Sequence, residues 1–418
     1  MNRDNLIRAL REALTPGSQN HATAIEAASR LPPDFADAIF IHTIAKPIEM
    51  VLAKDEPFGD GSGFLIQRDN GYSGFHANEA AIALARRVLR GETSERAVTW
   101  LERVLATEEG TGLGVLALWG VEVASPIELT HGVRLLPFSA LPDSSTKTWL
   151  SRPRDPTALP GFLGSMFVSP PKAALVCSYT VRPFLHPTKL GEPPPQVDPL
   201  RIQSLLDDAR LALTLVGPSW PVSAGYWFQF DDPDLVEASF YGGVMTSYQE
   251  VLPWGTAPDV ALDGSDAQRV GSAFLNLSDP LRATLRLALK RLNQAIRRPP
   301  HGDRALDLSI ALESLLVDGA GENTYKIALR AALILPVPLE QRLKVRATIG
   351  ALYALRSALV HDGVLPSEVK VGNVGKRSAS EVVKEATEIC ATVLRTVLEG
   401  GSIPNWYECE LTGGRHTS

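Results

Sequence analysis

The sequence predicts an α+β protein in three parts: a helical N-terminal region over residues 1–110, a β-rich middle domain over 111–265, and an all-α helical bundle over 266–400. Residues 401–418 form a C-terminal tail. Three observations carry this reading. Apolar residues recur every three or four positions at both ends of the chain, the period of a helix with one buried face. Between them the apolar runs are short and partly alternating, as in strands. The charge divides along the same lines. Residues 1–265 hold 21 Lys and Arg against 31 Asp and Glu, a net of −10, whereas residues 266–400 hold 19 against 14, a net of +5. An acidic front and a basic back point to separate domains, the back one able to face an anionic partner.

The helical N-terminal stretches are DNLIRALREAL, HATAIEAASRL, HANEAAIALARRVLRG and SERAVTWLERVLATEEG. In the middle, LGVLALWGVEV, GVRLLPF, KAALVCSYTVRPFL and AGYWFQF read as strands. SPPK, HPTKLGEPPPQVDP and GPSWP divide them as loops, and PLRIQSLLDDARLAL is a helix among them. In the bundle, Ser278-Asp279-Pro280 opens a helix, a capping residue followed by a proline where no amide hydrogen is needed. That helix runs through LRATLRLALKRLNQAI to RRPPHGD. DRALDLSIALESLLVD follows and is ended by Gly319. TYKIALRAALIL stops at PVP, and LEQRLKVRATIGALYALRSALVH stops at Asp362-Gly363. After a Gly/Ser/Lys loop, SASEVVKEATEICATVLRTVLEG closes the bundle.

Composition excludes several classes. With 44% hydrophobic and 21% charged residues, the 418-residue chain is ordinary globular protein. No apolar run reaches the length of a membrane span, and the polar start MNRDNLIRALREAL has no signal-peptide core. Cys177, Cys390 and Cys409 are too few and too scattered for a disulfide framework or a zinc site. A cytoplasmic setting with no metal and no cofactor is the expectation.

One motif stands out. In LYALRSALVHDG, Arg356 and His361 sit near a helix end with four residues between them, the only such Arg/His spacing in the chain. Taken in order, LSIALESLL, ENTYKIALRAALIL and LYALRSALVHDG resemble the HEPN domains, and in particular their ApeA-like branch. The resemblance covers about residues 268–400. The β-rich middle, with GVEVASPIELTHGVRLLPFSALP, is similar to domains that precede such modules.

The resemblance implies metal-independent RNA cleavage by a homodimer formed through the helical bundle, with Arg356 and His361 catalytic. It further implies a toxin or antiviral defence effector, restrained by its N-terminal domains until a protein or small-ligand trigger arrives. Ser357 stands where the family often carries asparagine or aspartate, so its supporting role is open. The alternative is a non-catalytic HEPN module that binds nucleotide or RNA, or that only dimerises or senses.

The residue types suit the chemistry. RNA carries a 2′-hydroxyl beside each phosphodiester, histidine is a base near neutral pH, and an arginine fork can hold two oxygens of a phosphorane. Five positions along a helix turn through about 140°, so the two side chains do not share one face.

Other candidates keep two readings. Glu313 falls on an apolar side of its helix and either orients Arg356 or His361 or makes a buried salt bridge. Arg282, Arg286 and Lys290 stand four apart, extended by Arg297 and Arg298; they form either an RNA-contacting ridge or a solvated bundle face. Tyr353 and Tyr325 are base-stacking or core aromatics. Three patterns are set aside as loops: Arg297 with His301, broken by Pro299-Pro300; GDGSGFLI, which lacks a triad; and GTGLG, which lacks a phosphate-loop lysine.

Overall fold

The structure, a computed structural model, describes residues 1–29, 33–68, 71–151, 170–189, 191–193, 201–239, 259–318 and 323–413. Its elements, in chain order, begin with α1 (Arg3–Leu14), α2 (Gln19–Ser29), α3 (Pro33–Leu52), β1 (Ser62–Arg68), β2 (Gly71–Phe75), α4 (Ala77–Leu89) and α5 (Ser94–Leu105). Then come β3 (Gly110–Trp119), β4 (Val121–Glu122), β5 (Ile127–Glu128), β6 (Val133–Pro137), α6 (Ser145–Ser151), β7 (Ala173–Val181), β8 (Leu185–Lys189), α7 (Arg201–Leu213), β9 (Val222–Phe230) and α8 (Pro233–Ala238). The remainder is β10 (Val260–Ala261), α9 (Gly264–Leu275), α10 (Asp279–Arg297), α11 (His301–Leu316), α12 (Asn323–Ile334), α13 (Leu339–Asp362), β11 (Glu368–Val371), β12 (Gly375–Ser378), α14 (Ala379–Gly400) and α15 (Trp406–Thr412). The chain is mixed α and β, as expected.

Compactness divides it into two units. One holds residues 1–114, 178–203 and 227–244; the other holds 115–177, 204–226 and 245–418. These bounds differ from the divisions at 110 and 265 expected from sequence, because the chain passes between the units within β3, β7, α7 and β9.

Residues 1–110 are mostly helical, and the first unit also contains a small sheet that the sequence reading did not place. Strands β1 and β2 pair antiparallel, Phe64 opposite Phe75, and β1 also pairs with β8, Leu65 opposite His186. HPTK, read as part of a loop, lies in β8, where Pro187 is tolerated because the strand sits at the sheet edge. The partner of β1 is more than a hundred residues away, which local pattern cannot reveal. A core of Leu6, Leu10, Ile44, Ile48, Phe58, Phe75, Leu84 and Leu101 holds the helices to this sheet. Arg87 crosses to Glu92, Asp234 and Glu237 and stacks on Trp100 at 5.0 Å, fastening α8 to α4 and α5.

GTGLG, the last five residues of the first unit's opening segment, begins β3 rather than forming a loop. The five-stranded sheet has the order β5-β6-β7-β3-β9, with β6 antiparallel to β5 and β7. The bundle helices fall where the sequence puts them. Ser278 stands at the N-cap of α10, although its side chain makes no capping hydrogen bond. Gly363 ends α13 with φ 68°, a left-handed conformation that glycine adopts without a Cβ clash. Gly319 lies outside the described residues. The expected Gly/Ser/Lys loop contains the hairpin β11–β12. The tail contains α15, seated by buried Trp406 and Cys409. Arg330 holds that end: its guanidinium reaches Asp318 at 2.5 Å and Glu410 at 2.6 Å, and it lies 5.4 Å from the Trp406 ring.

A buried polar network joins α7 to α10. Arg286 grips Asp208 with two hydrogen bonds of 2.6 Å, and Asn293 donates to Thr214 and to the Pro221 carbonyl, each at 3.2 Å. The Asp208 side chain is only 6% exposed, so removing its partner leaves a charge with little water to replace it. Arg286→Ala is therefore expected to lower unfolding stability by about 1.5–3 kcal/mol, read by urea titration. An unchanged midpoint would mean that the pair contributes nothing net.

Candidate active site

The site is built on two antiparallel helices of the bundle. On α11 the face Gly302, Leu306, Ser309 and Glu313 follows helical spacing, and Gly302 and Ser309 are buried. At Gly302 a Cβ would stand 2.8 Å from Leu359 Cδ2 of α13, so a larger residue there would need the Leu359 side chain to shift. Leu359 lies in the last turns of α13, which also carry Arg356, Ser357 and His361.

Glu313 reaches α13 at two points. Its Oε1 lies 3.5 Å from Arg356 Nη1 and 3.2 Å from the Tyr353 hydroxyl, which also lies 3.2 Å from the Ser309 carbonyl oxygen. The Tyr353 hydroxyl is thus a donor shared between two acceptors. Arg356 lies with its guanidinium carbon 5.7 Å from the Tyr353 ring centre. Tyr353 is buried, and burial, reinforced by the negative charge of Glu313, pushes its phenol well above the usual tyrosine range. It therefore serves as a neutral donor and a ring for the guanidinium to rest on.

The Arg356 side chain is 35% exposed. Its Nε is buried and meets no acceptor, whereas Nη1 faces Glu313. His361 is exposed on the last turn of α13, with no hydrogen bond or ion pair among the described residues. Ser357 is exposed beside Arg356. The structure thus brings Arg356, Glu313 and Tyr353 together. It does not join His361 to Arg356, because both lie within the regular turns of α13 and diverge as their spacing dictates.

The basic stripe of α10 is largely engaged within the chain. Arg286 is bound to Asp208, while Arg282 pairs with Asp279 and approaches Asp208 at 3.9 Å. Lys290 is exposed. At the end of α10, Arg291 and Arg298 share buried Asp307 at 3.1 and 3.0 Å. Tyr325 is exposed, with the Arg346 guanidinium 5.3 Å from its ring. The residue that sequence reasoning undervalued is Tyr353. It stands three positions before Arg356, the spacing that puts two side chains on one helical face, and that spacing was the available signal.

Among the described residues no group of three or more His, Cys, Asp or Glu is arranged to hold a metal ion. The three cysteines are free and buried. Among the described residues no helix is long and apolar enough to cross a membrane.

Two outcomes follow for this cluster. Because Arg356 and Glu313 both reach solvent, Arg356→Ala is expected to change stability by less than about 1 kcal/mol. A larger loss in chemical denaturation would make Arg356 a structural residue. The raised Tyr353 phenol means that the folded chain keeps a proton the unfolded chain gives up. Its contribution is intact below the ordinary tyrosine pKa of about 10 and is lost progressively as pH rises from there toward the folded value. Tyr353→Phe is expected to lose less stability than the native chain between neutral and strongly alkaline pH, and equal losses would remove Tyr353 from the account.

Compared with family models, curated proteins and solved structures, the chain matches none of them.

Proposed function

We propose that the chain is a metal-independent RNA endonuclease of HEPN type, acting as a homodimer through its C-terminal bundle. The observation that carries this reading is one helix end bearing two different groups. Arg356 is steadied from below by Glu313 and Tyr353, and His361 stands exposed without a partner among the described residues.

The divergence of the two side chains along α13 favours two copies. With two helix ends facing each other, an imidazole and a guanidinium can approach one phosphodiester from opposite sides. His361 takes the proton from the ribose 2′-hydroxyl. The 2′-oxygen then attacks phosphorus and the bond to the 5′-oxygen breaks. The leaving oxygen takes a proton from a second acid, such as the other copy's imidazolium, or from water. The products are a 2′,3′-cyclic phosphate and a 5′-hydroxyl end. Arg356 holds the charge that gathers on the phosphorane oxygens, and Glu313 keeps its fork from swinging away. The family resemblance extends this reading to a toxin or antiviral effector under the control of a trigger.

One observation favours a second reading. Glu313 occupies part of the Arg356 fork, as it would in a non-catalytic HEPN module that binds nucleotide or RNA, or that dimerises.

Purified protein incubated with total RNA in EDTA separates the two. The proposal expects cleavage with 2′,3′-cyclic phosphate ends, and a loss of about a hundredfold or more in His361→Ala and Arg356→Ala. Cleavage that EDTA abolishes, or that survives both substitutions, would overturn it. RNA binding without cleavage would support the module instead.

A further inference from the structure

Away from the helix end, the N-terminal half of α13 and the β11–β12 hairpin enclose a groove of about 830 Å³. We infer that this groove binds a small organic anion with an apolar body. The inference is independent of the nuclease reading.

The floor is unusual for a helix. Gly350 lies inside the 24-residue α13, where glycine costs backbone entropy that alanine would save. A glycine is commonly kept there because something packs against it, as Leu359 does at Gly302. At Gly350 a Cβ would meet nothing within 4 Å, so no contact within the chain accounts for it. What the missing side chain leaves is open space over Ala347 and Ala351, in the wall of the groove. The opposite wall is the hairpin turn. Gly372 adopts φ +49°, and a Cβ on it would stand 2.9 Å from Ala347 Cβ, so the turn rests directly on α13. Exposed Leu343 and Val374 supply apolar lips.

The charge is as distinctive as the shape. The lining holds Lys344, Arg346 and Lys370 against the single carboxylate of Glu340. Lys344 is bound to Glu385 at 3.0 Å. Arg346 rests on Tyr325, and neither it nor Lys370 has a carboxylate partner among the described residues. Lys370 also stands directly opposite Lys376 in the hairpin register. Opposed like charges on one face of a two-stranded ribbon repel each other. A bound anion relieves that repulsion, and an apolar body covers the bare floor. The volume falls within the usual range of small-molecule sites, about 300–1,000 Å³.

Anilinonaphthalene sulfonate, a flat apolar anion that fluoresces when removed from water, is a direct probe of this chemistry. Full-length protein is expected to bind it at one saturable site. Gly350→Leu fills the floor with a better helix former, so it should melt no lower than the native chain yet bind the probe about tenfold more weakly. Lys370→Glu, on the exposed hairpin, should weaken binding by about threefold or more. If Gly350→Leu melts lower, Lys370→Glu alone decides. Inorganic phosphate competing as well as the probe would mean that the cations bind without the apolar floor, and would overturn the inference. Native-strength binding in either folded variant, or no saturable binding, would do the same.

Discussion

Glu313 is the residue on which the candidate site depends. Its carboxylate, offered from α11, reaches two side chains of α13 at once: the Tyr353 hydroxyl and the Arg356 guanidinium. Neither contact is strong alone. The ion pair is half in solvent, where such pairs contribute little. Their value lies in position. Tyr353 is buried, so the Arg356 guanidinium rests against a ring held in place. α11 and α13 approach closely at Gly302, where a Cβ would meet the Leu359 side chain. A closely packed helix pair below thus supports a guanidinium that stays partly exposed above.

The two ends of α13 are used differently. At the C-terminal end, His361 is exposed one residue before the helix stops at Asp362. Toward the N-terminal end, the helix is shaved down to Ala347, Gly350 and Ala351 beneath the hairpin. At 3.6 residues per turn, His361 stands about three turns beyond Ala351 on the same helix. Buried Asp208 and Asn293 fasten α7 to α10, and Arg330 fastens α15 to α12.

What the sequence made legible follows from which signals are local. Helix ends were readable because their chemistry sits at the end itself: Pro280 inside the first turn of α10, Pro336 after α12, Gly363 after α13. Glu313 was readable as an acid on an apolar helical side, which demands a partner. Strands β1, β2 and β8 were not, since each is short and β1 finds β8 only through the folded chain. The same holds for Arg286, which reads as one of three cations on a helix but meets Asp208 across 78 residues of sequence. Arg356 and His361 were legible as a spacing, their divergence followed from helix geometry, and Glu313 was one reading's partner for Arg356; the seat on the Tyr353 ring was not legible.

Because α13 turns its arginine and histidine apart, the account requires two copies of the bundle for one reaction. Specific RNA-cleaving activity, measured over a dilution series that carries the protein from dimer to monomer in sedimentation, tests that requirement most directly. The account predicts that activity per chain falls in step with the dimer fraction. Activity per chain that stays constant after the protein has become monomeric would contradict it.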